Sequence, residues 1–148
     1  MRSSTRAAAL LAVGCLGLVP ALAGCNAFID QLGASSYDAV EENIEAAIPG
    51  SDATVGSHLN GFSSDLDLVV AIPTATTATT DDLRTVVTAL CDAEPRGFDY
   101  VRLYMQIGEP GSLDERSVDV DALMPEAFPG NPDLGEYSLL EDLCAAQP

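Results

Sequence analysis

Basic residues are scarce in this 148-residue sequence. Lysine is absent, histidine occurs only at His58, and six arginines stand against 23 aspartates and glutamates, which gives a formal net charge of −17. A field of this sign repels phosphate groups, so nucleic acids and anionic substrates are poor partners, whereas cations and basic protein surfaces are tolerated. The same acidity keeps an exported protein soluble, so charge alone does not indicate a ligand.

The single histidine restricts the catalytic chemistry that the sequence can support. A serine or cysteine hydrolase needs a nucleophile, a base and an orienting group, and there is no Gly-x-Ser-x-Gly motif. The alternating pattern around His58 predicts an exposed strand residue. The pairs Asp65/Asp67 and Asp119/Asp121 have Asp-x-Asp spacing, which in a strand sends both acids to one side; we interpret that side as solvated.

The only long apolar run lies at the amino terminus. It extends over residues 7–19, follows Arg2 and Arg6, and leads into small residues. This order predicts an export signal. A transmembrane helix is the alternative, but Gly17 and Pro20 weaken a helix, and a span needs roughly 20 apolar residues.

The run ends in Leu22-Ala23-Gly24-Cys25, which resembles the lipobox of bacterial lipoproteins. The resemblance implies cleavage before Cys25, a diacylglycerol on its thiol, and a location on the extracytoplasmic face of the cell membrane. It divides the chain into a signal peptide (1–24), an acylated cysteine with a short tether (25–35) and a single domain (36–148). The lysine-free composition also resembles that of small lipoproteins from high-GC Gram-positive bacteria. Neither resemblance implies an activity.

Two cysteines remain once Cys15 leaves with the leader and Cys25 carries the lipid. Cys91 and Cys144 form an even pair in an exported chain, where oxidising conditions favour a disulfide. A free reactive thiol is the alternative. Neither cysteine has a second Cys or His at metal-ligand spacing.

Hydrophobic periodicity predicts the elements of the domain. The pattern indicates a helix from Tyr37 to Ile48, a hairpin over 54–72, a helix capped by Thr79 and Asp82, a strand over 100–107, a short strand near 116–121, a short helix capped by Asp121, and a final helix with Tyr137 and Cys144. The fold class that follows is α+β. We expect a two-layer sandwich with a mostly antiparallel sheet of three to four strands, helices on one face, and the order α-β-β-α-β-(β)-α.

One strand carries a candidate partner surface. Tyr100, Arg102 and Tyr104 alternate with apolar residues and therefore share one face, and His58 is expected across the sheet on the same side. Such side chains are enriched in protein interfaces. Ordinary cross-strand pairing, or cover from the carboxy-terminal segment, is the alternative.

Calcium is the only cofactor that the sequence suggests. The anionic candidates are Asp114, Glu115, Asp119 and Asp121, but they lack the central glycine and closing glutamate of an EF-hand loop.

Three functions are compatible with these patterns. The favoured hypothesis is a non-enzymatic, membrane-anchored envelope lipoprotein that binds an envelope protein or a cell-wall component. The second is a carboxylate-based or cation-assisted extracytoplasmic enzyme, and the third is an accessory subunit of an envelope complex.

Overall fold

A computed structural model describes residues 37–147. The signal peptide, the lipidation site Cys25 and the tether to residue 35 lie outside the described residues, so their assignments stay predictions. The elements are α1 (37–47), β1 (Asp52–Asn60), β2 (Ser63–Ile72), α2 (Thr80–Asp92), β3 (Tyr100–Ile107), β4 (Arg116–Ser117), α3 (Val120–Ala127), β5 (Tyr137–Leu139) and α4 (Leu140–Ala145).

The α+β class and the predicted order of elements are confirmed. The sheet has five strands in the order β1-β2-β3-β4, with β5 next to β4 on the same edge of β3. Three of its four pairings are antiparallel, as expected for a mostly antiparallel sheet. The central pairing of β2 with β3 is parallel, and α2 supplies the crossover that parallel strands require. β5 is the strand that the sequence pattern did not predict.

Alternation along the strands separates an apolar face from a polar one. Leu66, Leu68 and Val70 of β2 are fully buried, and Val101 and Leu103 of β3 lie beside them. Helices α1, α2, α3 and α4 all contribute residues to the same core cluster. The helices therefore cover one face of the sheet, and the polar residues of the strands face away from them.

Helix ends agree with the sequence pattern in one case and differ in another. The capping box of Thr79 and Asp82 at the start of α2 is confirmed. The predicted cap of α3 was wrong, because Asp119, rather than Asp121, accepts a hydrogen bond from the Ala122 amide. Tyr137 was also misplaced: it lies in β5, and the last helix begins three residues later.

A disulfide joins Cys91 in α2 to Cys144 in α4, as predicted. The two Cα atoms lie 5.6 Å apart, within the usual range for a disulfide. The bond ties the carboxy-terminal helix to the crossover helix and thereby keeps β5 beside β3.

Replacing both cysteines by serine should lower the free energy of unfolding by about 4 kcal/mol, because the bond closes a long loop in the unfolded chain. The sequence separation is 53 residues. Chemical denaturation of wild type and double variant measures the difference, and a reducing agent should destabilise only the wild type. Quantitative thiol labelling of Cys91 and Cys144 in freshly purified, unreduced protein would contradict the assignment.

Candidate functional site

The uncovered side of the sheet brings together residues from four strands. We call it the polar sheet face; its members are His58, Asp65, Asp67, Tyr100, Arg102, Tyr104, Tyr137 and Leu139. The strand register determines their neighbours. His58 lies opposite Asp65, and Asp65 lies beside Tyr100. All four residues of the predicted partner surface lie on this face; binding of a partner stays a prediction.

Asp65 lies at the centre of the face and is fully buried. Its Oδ2 accepts a hydrogen bond from the Tyr137 hydroxyl at 3.0 Å, and its Oδ1 accepts one from Ser63 at 3.4 Å. His58 Nε2 lies 3.4 Å from Oδ2, and an Arg102 nitrogen lies 4.0 Å from it. A buried carboxylate requires such partners, because desolvation penalises an unpaired charge by several kcal/mol.

The burial of Asp65 corrects the interpretation of the Asp-x-Asp pair as solvated. Both acids do lie on one face, but β2 is an interior strand, so side chains from β1 and β5 cover Asp65. Asp67 is about one-third exposed. Its Oδ1 is buried without a hydrogen-bond partner among the described residues. The burial of Asp65 depends on which strands flank β2, and a local sequence pattern does not contain that information.

His58 bridges the two carboxylates. Its Nδ1 lies 2.6 Å from Asp67 Oδ2, while Nε2 faces Asp65. The contact with Asp67 is a hydrogen bond, and the contact with Asp65 is at ion-pair distance. Gly56 lies opposite Asp67 and has no side chain to occupy the adjacent place on the face. The imidazole is therefore held by its two acidic neighbours.

An aromatic and cationic layer lies beside the carboxylates. The rings of Tyr100 and Tyr137 stack with centroids 5.0 Å apart and planes inclined by 8°. The Arg102 guanidinium carbon lies 5.0 Å from the Tyr137 centroid, within cation–π distance. Tyr137, which sequence reasoning did not assign to a site, therefore contacts three members of the face: Asp65, Tyr100 and Arg102.

The surroundings of Tyr137 and Arg102 shift their pKa values upward. Desolvation is the largest cause of the raised pKa of Tyr137, and its hydrogen bond to the charged Asp65 adds to the effect, while a hydrogen bond with Asn60 opposes it. For Arg102, desolvation lowers the pKa, but interactions with Tyr104 and the nearby carboxylates together raise it. The face thus favours a neutral phenol and a charged guanidinium.

This geometry differs from that of a nucleophilic triad. His58 Nε2 faces a carboxylate rather than a hydroxyl, and the Ser63 hydroxyl shares its single proton between the Asn60 carbonyl oxygen at 2.8 Å and Asp65 Oδ1 at 3.4 Å. Three clefts within residues 37–147 are lined mainly by residues off the face, and Leu139 is the member of the face that contributes to one of them. The polar sheet face is an open surface of acid, aromatic and guanidinium groups, a chemistry suited to binding.

Three of the four calcium candidates have separate roles in the described structure. Glu115 accepts a hydrogen bond from the Gly111 amide, Asp119 caps α3, and Asp121 accepts one from the Glu136 amide. Within residues 37–147 there is no group of three or more His, Cys, Asp or Glu side chains arranged to hold a metal ion. Calcium binding stays a prediction.

Comparison with known proteins gives no match. This holds for protein-family models, curated proteins and solved structures alike. Among the described helices, none is both long and apolar enough to cross a bilayer. Function has to be argued from the polar sheet face and the leader.

Tyr137→Phe should lower the melting temperature by about 4 °C or more, because the buried Asp65 loses a hydrogen-bond donor. Tyr104→Phe is the matched control: it removes a hydroxyl from the same face that makes no hydrogen bond to Asp65, and should change the melting temperature little. Thermal unfolding followed by circular dichroism measures both. Equal effects of the two substitutions would contradict the central role of the Tyr137–Asp65 contact.

Alkaline titration should show that Tyr137 ionises above the ordinary tyrosine pKa. The folded state raises the pKa of Tyr137 above its ordinary value of 10.0, so its stabilising contribution is intact below pH 10 and is lost as the pH rises through the folded pKa. Ultraviolet absorbance of the phenolate measures this, and the component of raised pKa should vanish in Tyr137→Phe. A variant that loses a component of ordinary pKa instead would contradict the assignment.

Proposed function

We propose that this protein is a lipid-anchored binding module on the extracytoplasmic face of the cell membrane. The anchor is supported by the basic start at Arg2 and Arg6, the apolar run, and the Leu22-Ala23-Gly24-Cys25 motif. Two acyl chains hold a protein stably at a bilayer, because each buried methylene contributes about 0.8 kcal/mol. The lipid then localises the protein at the membrane, and the folded domain provides the binding surface.

The observation that carries the binding function is that the helices within residues 37–147 cover one face of the sheet and leave the other uncovered. On the opposite face Tyr104, Tyr137 and Leu139 are 38%, 40% and 43% exposed. Arg102 lies against Tyr137. Aromatic residues and arginine are the side chains most enriched among the residues that dominate binding energies at protein interfaces.

The face is also preorganised for binding. Asp65 contacts His58, Arg102 and Tyr137, so these side chains have lost much of their rotational freedom before any partner arrives. The stack of Tyr100 on Tyr137 restricts the aromatic rings further. Binding to rigid side chains costs less conformational entropy, which favours affinity on a shallow surface.

Charge indicates the chemistry of the partner. After removal of residues 1–24, four basic residues remain against all 23 acidic ones. The polar sheet face itself holds two carboxylates, Asp65 and Asp67, and one guanidinium, Arg102. An envelope protein or cell-wall component with a basic surface fits this field, whereas a nucleic acid is repelled. If the partner is bound permanently, the protein is an accessory subunit of an envelope complex, and the same face provides the contact.

An acid–base enzyme is the second candidate. It is favoured by the contact of His58 with two carboxylates, 2.6 Å from Asp67 and 3.4 Å from Asp65. Such a cluster can move a proton if a substrate reaches it. The open geometry of the face argues for binding, because active sites usually lie in concave pockets that exclude water.

Cys25→Ser should abolish lipidation and release the protein from the membrane fraction, since the thiol is the proposed attachment point. Fractionation of cells that express the full chain measures this, with Cys15→Ser as the matched control because Cys15 lies within the leader. Unaltered membrane retention of Cys25→Ser would instead support a membrane-spanning leader.

A photo-crosslinking amino acid at position 104 should capture a discrete partner in living cells. The same group at position 113 is the control, because Leu113 is fully exposed but lies in the loop after β3, off the polar sheet face. Leu139→Ser should then reduce capture from position 104 by about tenfold, the effect of losing roughly 1.4 kcal/mol of binding energy. Equal capture from both positions, or no effect of Leu139→Ser, would contradict binding through this face.

A further inference from the structure

The tip of the β1–β2 hairpin presents an isolated, fully exposed aromatic side chain. Phe62 is the second residue of a two-residue turn, and the rest of the described domain does not cover its side chain. Gly61 supplies the positive φ of +67° that the first turn position requires. Leu59, near the end of β1, is a second exposed apolar residue, with 45% of its surface accessible. No charged residue occurs between positions 59 and 64.

The tip is held firmly rather than left loose. The Ser63 hydroxyl donates a hydrogen bond to the Asn60 carbonyl oxygen at 2.8 Å, which closes the turn. Beside the turn, the Ser64 amide donates to the Asp99 carboxylate at 2.9 Å, and the Asp99 amide donates back to the Ser64 carbonyl at 2.8 Å. These contacts attach the hairpin to the start of β3, so Phe62 projects in a defined direction.

The chain reaches the domain at this same end. Tyr37, the first described residue of α1, donates a hydrogen bond from its hydroxyl to Ser57 of β1. Its ring lies 5.9 Å from that of Phe98, which immediately precedes Asp99, the residue that contacts Ser64. Ser57 lies three residues before the end of β1, which corresponds to roughly 10 Å along a strand.

The proposed anchor limits how far this end can be from the lipid. Eleven residues separate Cys25 from Tyr37, and they span at most about 40 Å when fully extended. Because the domain is strongly acidic, most of its surface is repelled by anionic headgroups. The turn has no charged residue between positions 59 and 64 and exposes a phenylalanine, which suits a bilayer interface, while the nearby Asp99 carboxylate accepts a hydrogen bond from the Ser64 amide.

The opposite end of the sheet provides a contrast. Leu113 is also fully exposed, but it follows the far end of β3 and is flanked by Asp114 and Glu115. Leu113 is therefore exposed next to two acidic residues and at the end of the sheet away from Tyr37. The two exposed apolar residues thus differ in the charge of their immediate sequence neighbours and in the end of the sheet at which they lie.

We propose that the tip of the β1–β2 hairpin, through Phe62, contacts the lipid bilayer that holds the acyl chains of Cys25. This inference rests on the lipid anchor of the proposed function. The contact would fix the orientation of the domain, with the strands rising from the membrane and the polar sheet face directed sideways. A partner in the envelope could then reach that face without competition from the bilayer.

Single tryptophans can test the contact, because the chain contains none. Phe62→Trp and the matched control Leu113→Trp place one tryptophan at each end of the sheet. The lipidated full chain would be reconstituted into vesicles of phosphatidylcholine and phosphatidylglycerol with brominated acyl chains, which quench fluorescence on contact. We expect Trp emission to fall by about half or more for Phe62→Trp and to change little for Leu113→Trp.

Vesicle flotation separates the two possible failures. If neither variant floats with the vesicles, the lipid anchor is wrong and the inference falls with it. If both float but are quenched equally, or if neither is quenched, the anchor stands and the hairpin contact is overturned. A spectral shift of Phe62→Trp that grows with protein density but is insensitive to brominated lipid would mean that the tip contacts a second copy of the chain, which also overturns the proposal.

Discussion

Strands β2 and β3 pair in parallel along their length, and this pairing constrains the rest of the domain. The chain has to leave one end of β2 and return to the opposite end before it can form β3, and α2 occupies that crossover. The apolar stripe of α2 packs on the sheet, and the Cys91–Cys144 bond brings α4 to the same side. All four described helices therefore share one face, and the other face is left to polar and aromatic side chains.

That open face is organised by the burial of one carboxylate. Asp65 lies on an interior strand, so desolvation would penalise it heavily without neighbours from β1, β3 and β5. His58, Arg102 and Tyr137 supply those contacts and are themselves held in place by them. The same interactions that satisfy a buried charge thus produce a rigid surface with exposed aromatic edges. Stability of the sheet and readiness of the surface for a partner have a common physical origin.

Local patterns predicted what depends on local chemistry. Alternation identified both faces of β3, helical spacing identified the stripe of α2, and Thr79 with Asp82 identified its cap, because each depends on residues close in sequence. The same patterns placed His58, Tyr100, Arg102 and Tyr104 on one face. They could not predict the parallel pairing, which joins segments separated by a whole helix. They also missed the burial of Asp65 and the contribution of Tyr137, since β5 has only three residues and forms by pairing with β3.

The central claim is that the polar sheet face is covered by a partner while the protein is anchored in the envelope. Hydroxyl-radical footprinting measures this directly, because Tyr104 and Tyr137 are exposed in the isolated domain and are readily oxidised when they contact solvent. Intact cells and purified protein would be labelled in parallel, with Leu113, which is fully exposed in the loop after β3 and lies off the face, as the internal reference. The account predicts several-fold less oxidation of both tyrosines in cells than in purified protein at equal labelling of the reference. Equal oxidation in the two samples would contradict it.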